Sequence, residues 1–415
     1  MVWEGPSLSW TGNIPARSCG DGMPYDKQSF LSGVAAGRNM ESWPAFEPAN
    51  TGHFSFVIDT SLGGSTEYRF RVGHLSPIII SWGDGTTSTI PQGNPQGPPS
   101  HTYEKHGIYL IVVIGYVTGV SFSAGSTAEE QKAAESLILV ETPIEADPNA
   151  SGQGKLISFE NMFKGCINLV EVPDSMLTSF YDNGYYIYST KSMFEECRSL
   201  RRVPSDLFSG CDFDDDIHGY DPVIDRMFYN CKSLKSISPR VFGSEFSKIK
   251  SVDSLFRGSG LRTVPTGVFS SFDHCWDFSN CFTSCDQLRD TGSSLFQGNP
   301  YPSYFRSMFS NCPNLSSIGD NLFNQQNKGS FSHTFYNCPS LTIIPPDLFR
   351  FDWPVGSLIS DFADCFAYDT GIVSSVPELW LYYDNWPDTG FNRSNQCYYD
   401  CINAFNYNDI PDRWK

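Results

Sequence analysis

The sequence predicts a mixed, β-leaning fold in three parts: an N-terminal arm, a small β-sandwich, and a long stack of short repeats made of brief strands and brief helical turns. Three observations predict it. A phrase Met-Phe-x-x-Cys-x-x-Leu recurs in the second half, beginning at Met162, Met193, Met227 and Met308, with weaker copies around Phe256, Phe282, Phe335 and Phe366. From each repeated Phe to the apolar pair that follows, the spacing holds near 14 residues, while the return segment varies from about 12 to about 20. Upstream, apolar residues alternate with period two, as in half-buried strands.

Composition limits what such a chain can do. It has 415 residues, 18% charged and 15% aromatic, so there is ample material for a packed core and little reason for disorder. A net charge of −18 argues against a general hold on nucleic acid or anionic lipid, which needs clustered Lys and Arg. No apolar run has the length of a membrane-spanning helix, and the first residues lack the basic and apolar regions of a secretory signal. The expectation is either a signal already removed or a route of release that uses none, as for a virion protein freed by lysis.

Residues 1–48 read as an attachment arm, with one short helix candidate over Ser29–Arg38 between loops rich in Gly and Pro. The start resembles that of phage structural proteins, which implies attachment to other virion proteins.

Residues 49–123 read as the sandwich. His53–Ile58 and Glu67–Val72 alternate, Pro77–Trp82 is a buried strand entering a tight Gly83-Asp84-Gly85 turn, and His101–Val113 is a turn followed by a strand. The pair Trp-Gly-Asp-Gly and His-x-Tyr-x-x-x-Gly-x-Tyr resembles polycystic-kidney-disease (PKD)-like domains, which are Ig-like sandwiches. The resemblance implies structural roles: Asp84 ties its turn and Tyr103 pins the corner.

Residues 124–154 read as a linker and N-terminal cap, with a helix over Thr127–Glu135. Residues 155–390 hold about eight repeats, and residues 391–415 a C-terminal cap ending in a truncated coil. Within a repeat, Phe159, Met162, Phe163 and Cys166 fall at i, i+3, i+4 and i+7, one apolar face of a short helix. Leu200–Pro204 and Leu261–Pro265 follow as short extended segments ended by proline. Asp206-Leu207-Phe208 then reads as a single turn. This plan resembles the BspA-like (bacterial surface protein) class of leucine-rich repeats. Ser259 and Asp369 stand where that class has Cys, and Thr291-Gly292 where it has Val-Pro. The resemblance implies surface-displayed adhesion rather than catalysis.

Six of the thirteen cysteines hold one place in successive repeats, which predicts a buried column of small side chains rather than disulfides or a metal site. Cys281-x3-Cys285 and Cys397-x3-Cys401 lack zinc spacing, and Asp212–Asp216 does not order its carboxylates as a calcium loop does. No nucleophile elbow, metalloprotease helix or phosphate loop is present, so no catalytic residue, metal or cofactor is expected.

Candidate binding residues are the aromatic rings of the long return segments: Tyr181, Tyr185, Tyr186, Tyr188, Trp353, Tyr382, Tyr383 and Trp386. Interleaved with Asp and Asn, such rings suit sugars or protein surfaces, unless they cover the ends of the stack. The expected function is non-enzymatic recognition or display on a virion (capsid decoration, head fibre or tail-associated), touching a host surface glycan or protein. No nucleic acid or membrane insertion is expected, and a homo-oligomer is left open. A secreted bacterial surface adhesin and a secreted hydrolase that uses the repeats for targeting are the alternatives.

Overall fold

The computed structural model describes residues 52–92, 97–151, 155–211, 213, 222–296, 299, 302–323, 329–349, 360–383 and 395–415. The arm expected over residues 1–48 lies outside them. Within them, no helix is long and apolar enough to cross a membrane. The fold is mixed and β-leaning, with few helices.

The N-terminal part is organised by β1 (His53–Asp59), whose Phe54, Phe56 and Ile58 point into the core. Ser55 and Val57 between them are buried too, so the strand is covered on both faces and not half-buried as its alternation suggests. β1 pairs antiparallel with β7 (Ile108–Ile114), and β7 with β4 (Ile78–Ser81), which carries β5 (Thr87–Ile90) on its outer edge. The expected strand over Glu67–Val72 is two strands. β2 (Glu67–Arg69) pairs with β6 (Ser100–Thr102) and β3 (Arg71–Gly73) with β8 (Gly119–Ser121), with buried Phe70 between the pairings. Asp84 Oδ1 accepts from the Thr86 amide and hydroxyl, and Tyr103 donates its hydroxyl to the Trp82 carbonyl at 2.8 Å. The turn needs glycine at position 83, where φ is +86° and a Cβ would lie 2.5 Å from the Leu110 carbonyl oxygen.

The segment read as linker completes this sheet. Thr127 and Glu130 form a capping box at the start of α1 (Ala128–Ser136), which runs directly into β9 (Leu137–Val140). β9 pairs with β1, giving the order β5-β4-β7-β1-β9, and its Leu139 bridges in parallel to Glu171 of the first repeat. The sandwich therefore merges with the repeats instead of being tethered to them.

The repeats stack. Phe163, Phe194, Phe228, Phe256, Phe282, Phe309, Phe335, Phe366 and Tyr398 form one column, neighbouring ring centroids 5.2–5.7 Å apart and planes within 14°. Phe122 of the sandwich extends it at one end, 5.5 Å from Phe163, and Trp414 at the other, 6.3 Å from Tyr398. Tyr398 sits inside the expected C-terminal cap, so that cap contains a further turn of the repeat.

The expected helix over Phe159–Cys166 does not form. Two residues before each column ring and two after it, φ is positive, between 54° and 78° around all nine rings; Asn161 and Gly165 flank Phe163, and Asn280 and Ser284 flank Phe282. These left-handed residues turn alternate amides outward. Met162 and Cys166 donate back three residues, to Phe159 and Phe163, while the amides of Asn161, Phe163 and Gly165 donate to carbonyls of the next coil. The column ring's amide donates to the next coil throughout, from Phe163 to Met193 through to Phe366 to Cys397, at 2.8–2.9 Å. A helix would have kept these donors to itself.

The ring's carbonyl points inward and takes the thiol of the following coil: Cys197 donates to Phe163, Cys231 to Phe194, Cys312 to Phe282 and Cys338 to Phe309, at 3.1–3.2 Å. The column of small side chains is thus also a column of donors. Burial pushes the thiols of Cys197, Cys231 and Cys312 upward, which keeps them protonated. Among the described residues the cysteines are buried and form no disulfide.

Two positions lack the thiol: Ser259, whose hydroxyl lies 3.5 Å from Cys285 Sγ, and Asp369. Asp369 is fully buried, with the Cys338 amide donating to Oδ1 at 2.6 Å and no hydrogen-bond partner for Oδ2. Desolvation raises its carboxyl well above the usual range.

Two stability outcomes are expected. Phe309→Ala empties one storey of the column, between rings 5.4 and 5.6 Å away, and should cost about 3–5 kcal/mol in denaturant unfolding. Asp369 binds its proton more tightly folded than unfolded, so its contribution is fully present below the unfolded pKa near 4 and declines as pH rises, by about 1.4 kcal/mol per pH unit across the shift. Asp369→Asn should therefore stabilise the protein at pH 7, flatten the pH dependence of its melting, and have little effect at pH 4.

Candidate binding surfaces

Of the aromatic return segments, the structure describes 178–189 and part of 380–383. Trp353 and Trp386 lie outside the described residues. Tyr382 and Tyr383 belong to the short helix α3 (Trp380–Tyr383).

The first segment divides its four tyrosines. Tyr181 ends a turn of α2 (Thr178–Asp182), is 43% exposed, and lies over Gly210, where a Cβ would come 2.7 Å from the ring. Tyr186 and Tyr188 point outward from β11 (Tyr186–Ser189), half-buried, while Ile187 between them points in. β11 pairs in parallel with β10 (Leu156–Ser158) of the preceding coil.

Tyr185 corrects the expectation. It is 1% exposed, packs edge-to-face on Phe180 at 5.2 Å, and donates its hydroxyl to the Asp147 carbonyl at 3.0 Å. Burial pushes its phenol up to about 12. This ring ties the first coil to the end of the sandwich and offers nothing to a ligand. The strand period separates it from its neighbour Tyr186, and one residue decides which face each ring takes.

Two aromatic groups outside the expected loops reach the surface. Trp276 and Tyr304, on adjacent coils, meet edge-to-face at 5.5 Å. Tyr336, Tyr368 and Tyr399 form a row across three coils, with centroids 5.3 and 5.1 Å apart. Tyr368 and Tyr399 are 41% and 40% exposed. The signal for the row was available: each tyrosine follows its column ring by one or two residues.

The strongest electrostatic cluster spans three coils. Glu195 is nearly buried, which alone would raise its pKa. Hydrogen bonds from Arg226 and Ser192, and the charges of Arg226 and Lys164, outweigh burial and hold its carboxyl down at about 2. Arg226 also covers the Tyr229 ring, 4.1 Å from its centroid. With both partners engaged, the cluster fastens coils together. In the sandwich, His101 Nε2 meets Asp84 Oδ2 at 2.7 Å and its ring stacks on Trp82 at 5.1 Å. The Asp84 carboxylate is already occupied by Thr86, which gives the pair a place in the turn. The acidic segment 212–216 is described only at Phe213, which is buried against Phe208 and Phe246. Among the described residues no group of three His, Cys, Asp or Glu side chains could hold a metal ion.

Comparison with protein-family models and with curated proteins finds no match. Among solved structures, a crystal structure of a TLR13–ssRNA13 complex is similar to this chain at 12% identity with a TM-score of 0.16. The match covers 53% of this chain and 38% of that one, so the chain spans well under half its length.

Substitution separates the two kinds of tyrosine. Tyr185→Ser should lower the melting temperature by several degrees, because it leaves a cavity beside Phe180 and removes the hydrogen bond to the Asp147 carbonyl. Tyr368→Ser should leave melting within about one degree of the parent, as an exposed substitution does. Paired thermal melts check both.

Proposed function

We propose that this chain is a non-enzymatic recognition and display protein: a BspA-like leucine-rich-repeat solenoid behind a PKD-like sandwich, carried on the outside of a bacteriophage particle by its N-terminal arm. The observation that carries the reading is the continuous ring column from Phe122 to Trp414. It makes sandwich and repeats one stiff body. Side chains at a given repeat position then stand in rows one coil apart, and a preorganised row loses little entropy on binding. Half-buried Tyr336 and exposed Tyr368 and Tyr399 form such a row, and Tyr181, Tyr186 and Tyr188 lie nearer the sandwich. Many copies on one particle would turn weak individual contacts with host glycans or proteins into firm attachment.

The test is immunogold electron microscopy of purified phage particles with antibody raised against the repeats, joined to an adsorption assay in which the purified chain competes for host cells. Gold on the particle exterior together with reduced adsorption is expected. Gold confined to the bacterial envelope, with bare particles, would contradict the virion placement and favour the adhesin.

A further inference from the structure

Four exposed cations stand in single file on a chain of net charge −18. Arg201, Lys235 and Arg289 each follow their column ring by seven residues, and Arg262 follows Phe256 by six. They occupy the extended segment that comes after the conserved-length turn of four consecutive coils. The backbone aligns three of them: Arg262 N donates to the Lys235 carbonyl at 3.3 Å and Arg289 N to the Arg262 carbonyl at 2.9 Å. Arg201, at the same offset from its ring as Lys235, lies on the preceding coil, joined to that of Lys235 by Ser233 N donating to the Arg198 carbonyl at 3.0 Å. Val170 precedes the row and Ser316 follows it, so the row has two ends. At a strand-like step of about 4.8 Å it is roughly 15 Å long.

Nearby cations are neutralised. Arg202 pairs with Asp174 at 2.6 Å, Arg198 with Glu196 at 2.8 Å, and Lys232 with Asp286 at 3.2 Å. None of the four cations in the row has an ion pair among the described residues. Like charges directly opposite each other on paired segments repel, so the row works against folding. A ligand that neutralises all four would remove that repulsion.

We propose that this row is a docking track for a linear acidic polysaccharide, one carrying a carboxylate or sulfate on successive sugars. The proposal rests on the recognition role above and names its ligand class. A single file of cations selects a single file of anions, and one sugar is about as long as one coil is thick. Arginine forks present paired donors that match carboxylate and sulfate oxygens. Duplex nucleic acid fits less well, because it carries one charge per about 1.7 Å of axis against one cation per coil of about 4.8 Å in the row.

The experiment is titration calorimetry on the full chain with polygalacturonate, dextran sulfate, neutral dextran and single-stranded polydeoxyadenylate, at low and high salt. Binding to polygalacturonate or dextran sulfate that salt weakens is expected, and which of them binds distinguishes carboxylate from sulfate. A variant carrying Arg201→Ser, Lys235→Ser, Arg262→Ser and Arg289→Ser should melt no lower than the parent and lose at least about tenfold in affinity. Arg198→Ser with Arg202→Ser and Lys232→Ser should keep the affinity. Failure of both acidic glycans to bind, tighter binding of polydeoxyadenylate, or unchanged affinity in the fourfold variant would overturn the proposal. Adsorption competition that survives in the fourfold variant would overturn the track alone and leave the recognition role standing.

Discussion

The structure depends on the direction of its inter-coil hydrogen bonds. Every column-ring amide donates towards the C-terminal neighbour, so the stack has one end that offers carbonyls and another that offers amides. Buried backbone groups left at either end would each cost about 1–3 kcal/mol. Both ends are supplied. At the first coil, Phe122 and Ala124 of the sandwich donate to the Met162 and Lys164 carbonyls. At the last, the carbonyls of Arg413 and Trp414 accept from Gln396 and Tyr398. The sandwich and the C-terminal turn are caps chosen by polarity, and the ring column continues into each.

The same constraint explains residues that would otherwise look arbitrary. Turning alternate amides outward requires left-handed backbone on both sides of each ring, a conformation that costs about 1–2 kcal/mol for residues other than glycine. Asn, Asp and Gly, which tolerate it best, occupy many of these places, among them Asn161, Gly165, Asn230, Gly258, Asn311 and Asp364. The ring's own carbonyl accepts the amide three residues on, as Phe163 does from Cys166, and the thiol of the next coil fills its second acceptor site. Alanine would leave a sulfur-sized gap and remove the second donor, while the backbone amide bond to the carbonyl would stay. Asp369 occupies that position with a group whose protonation must adapt.

Much of this was legible in the sequence, and the failures have physical causes. Fixed spacing behind each Phe correctly marked packing, and the Asp84 turn and Tyr103 hydroxyl act in the structure as their motifs imply. The i, i+3, i+4, i+7 spacing around Phe163 misled, because a run of three-residue turns places apolar side chains at the same intervals as a helix. The left-handed formers at fixed offsets were the overlooked discriminator. Strand β9 was hidden because four apolar residues after a helix have no period of their own. Tyr185 and Tyr186 could not be separated without knowing which one began the strand. The row from Arg201 to Arg289 escaped notice for a different reason: its members are 27 to 34 residues apart, and only the coil brings them together.

The central claim is that each column-ring amide is held by the coil that follows. Native-state hydrogen exchange at single-residue resolution measures this directly. The account predicts that the amides of Phe194, Phe228, Phe282 and Phe309 exchange orders of magnitude more slowly than an unstructured peptide, with protection that continues through Phe163 into Phe122. Exchange of the Phe228 and Phe309 amides at the rate of exposed peptide groups would contradict it.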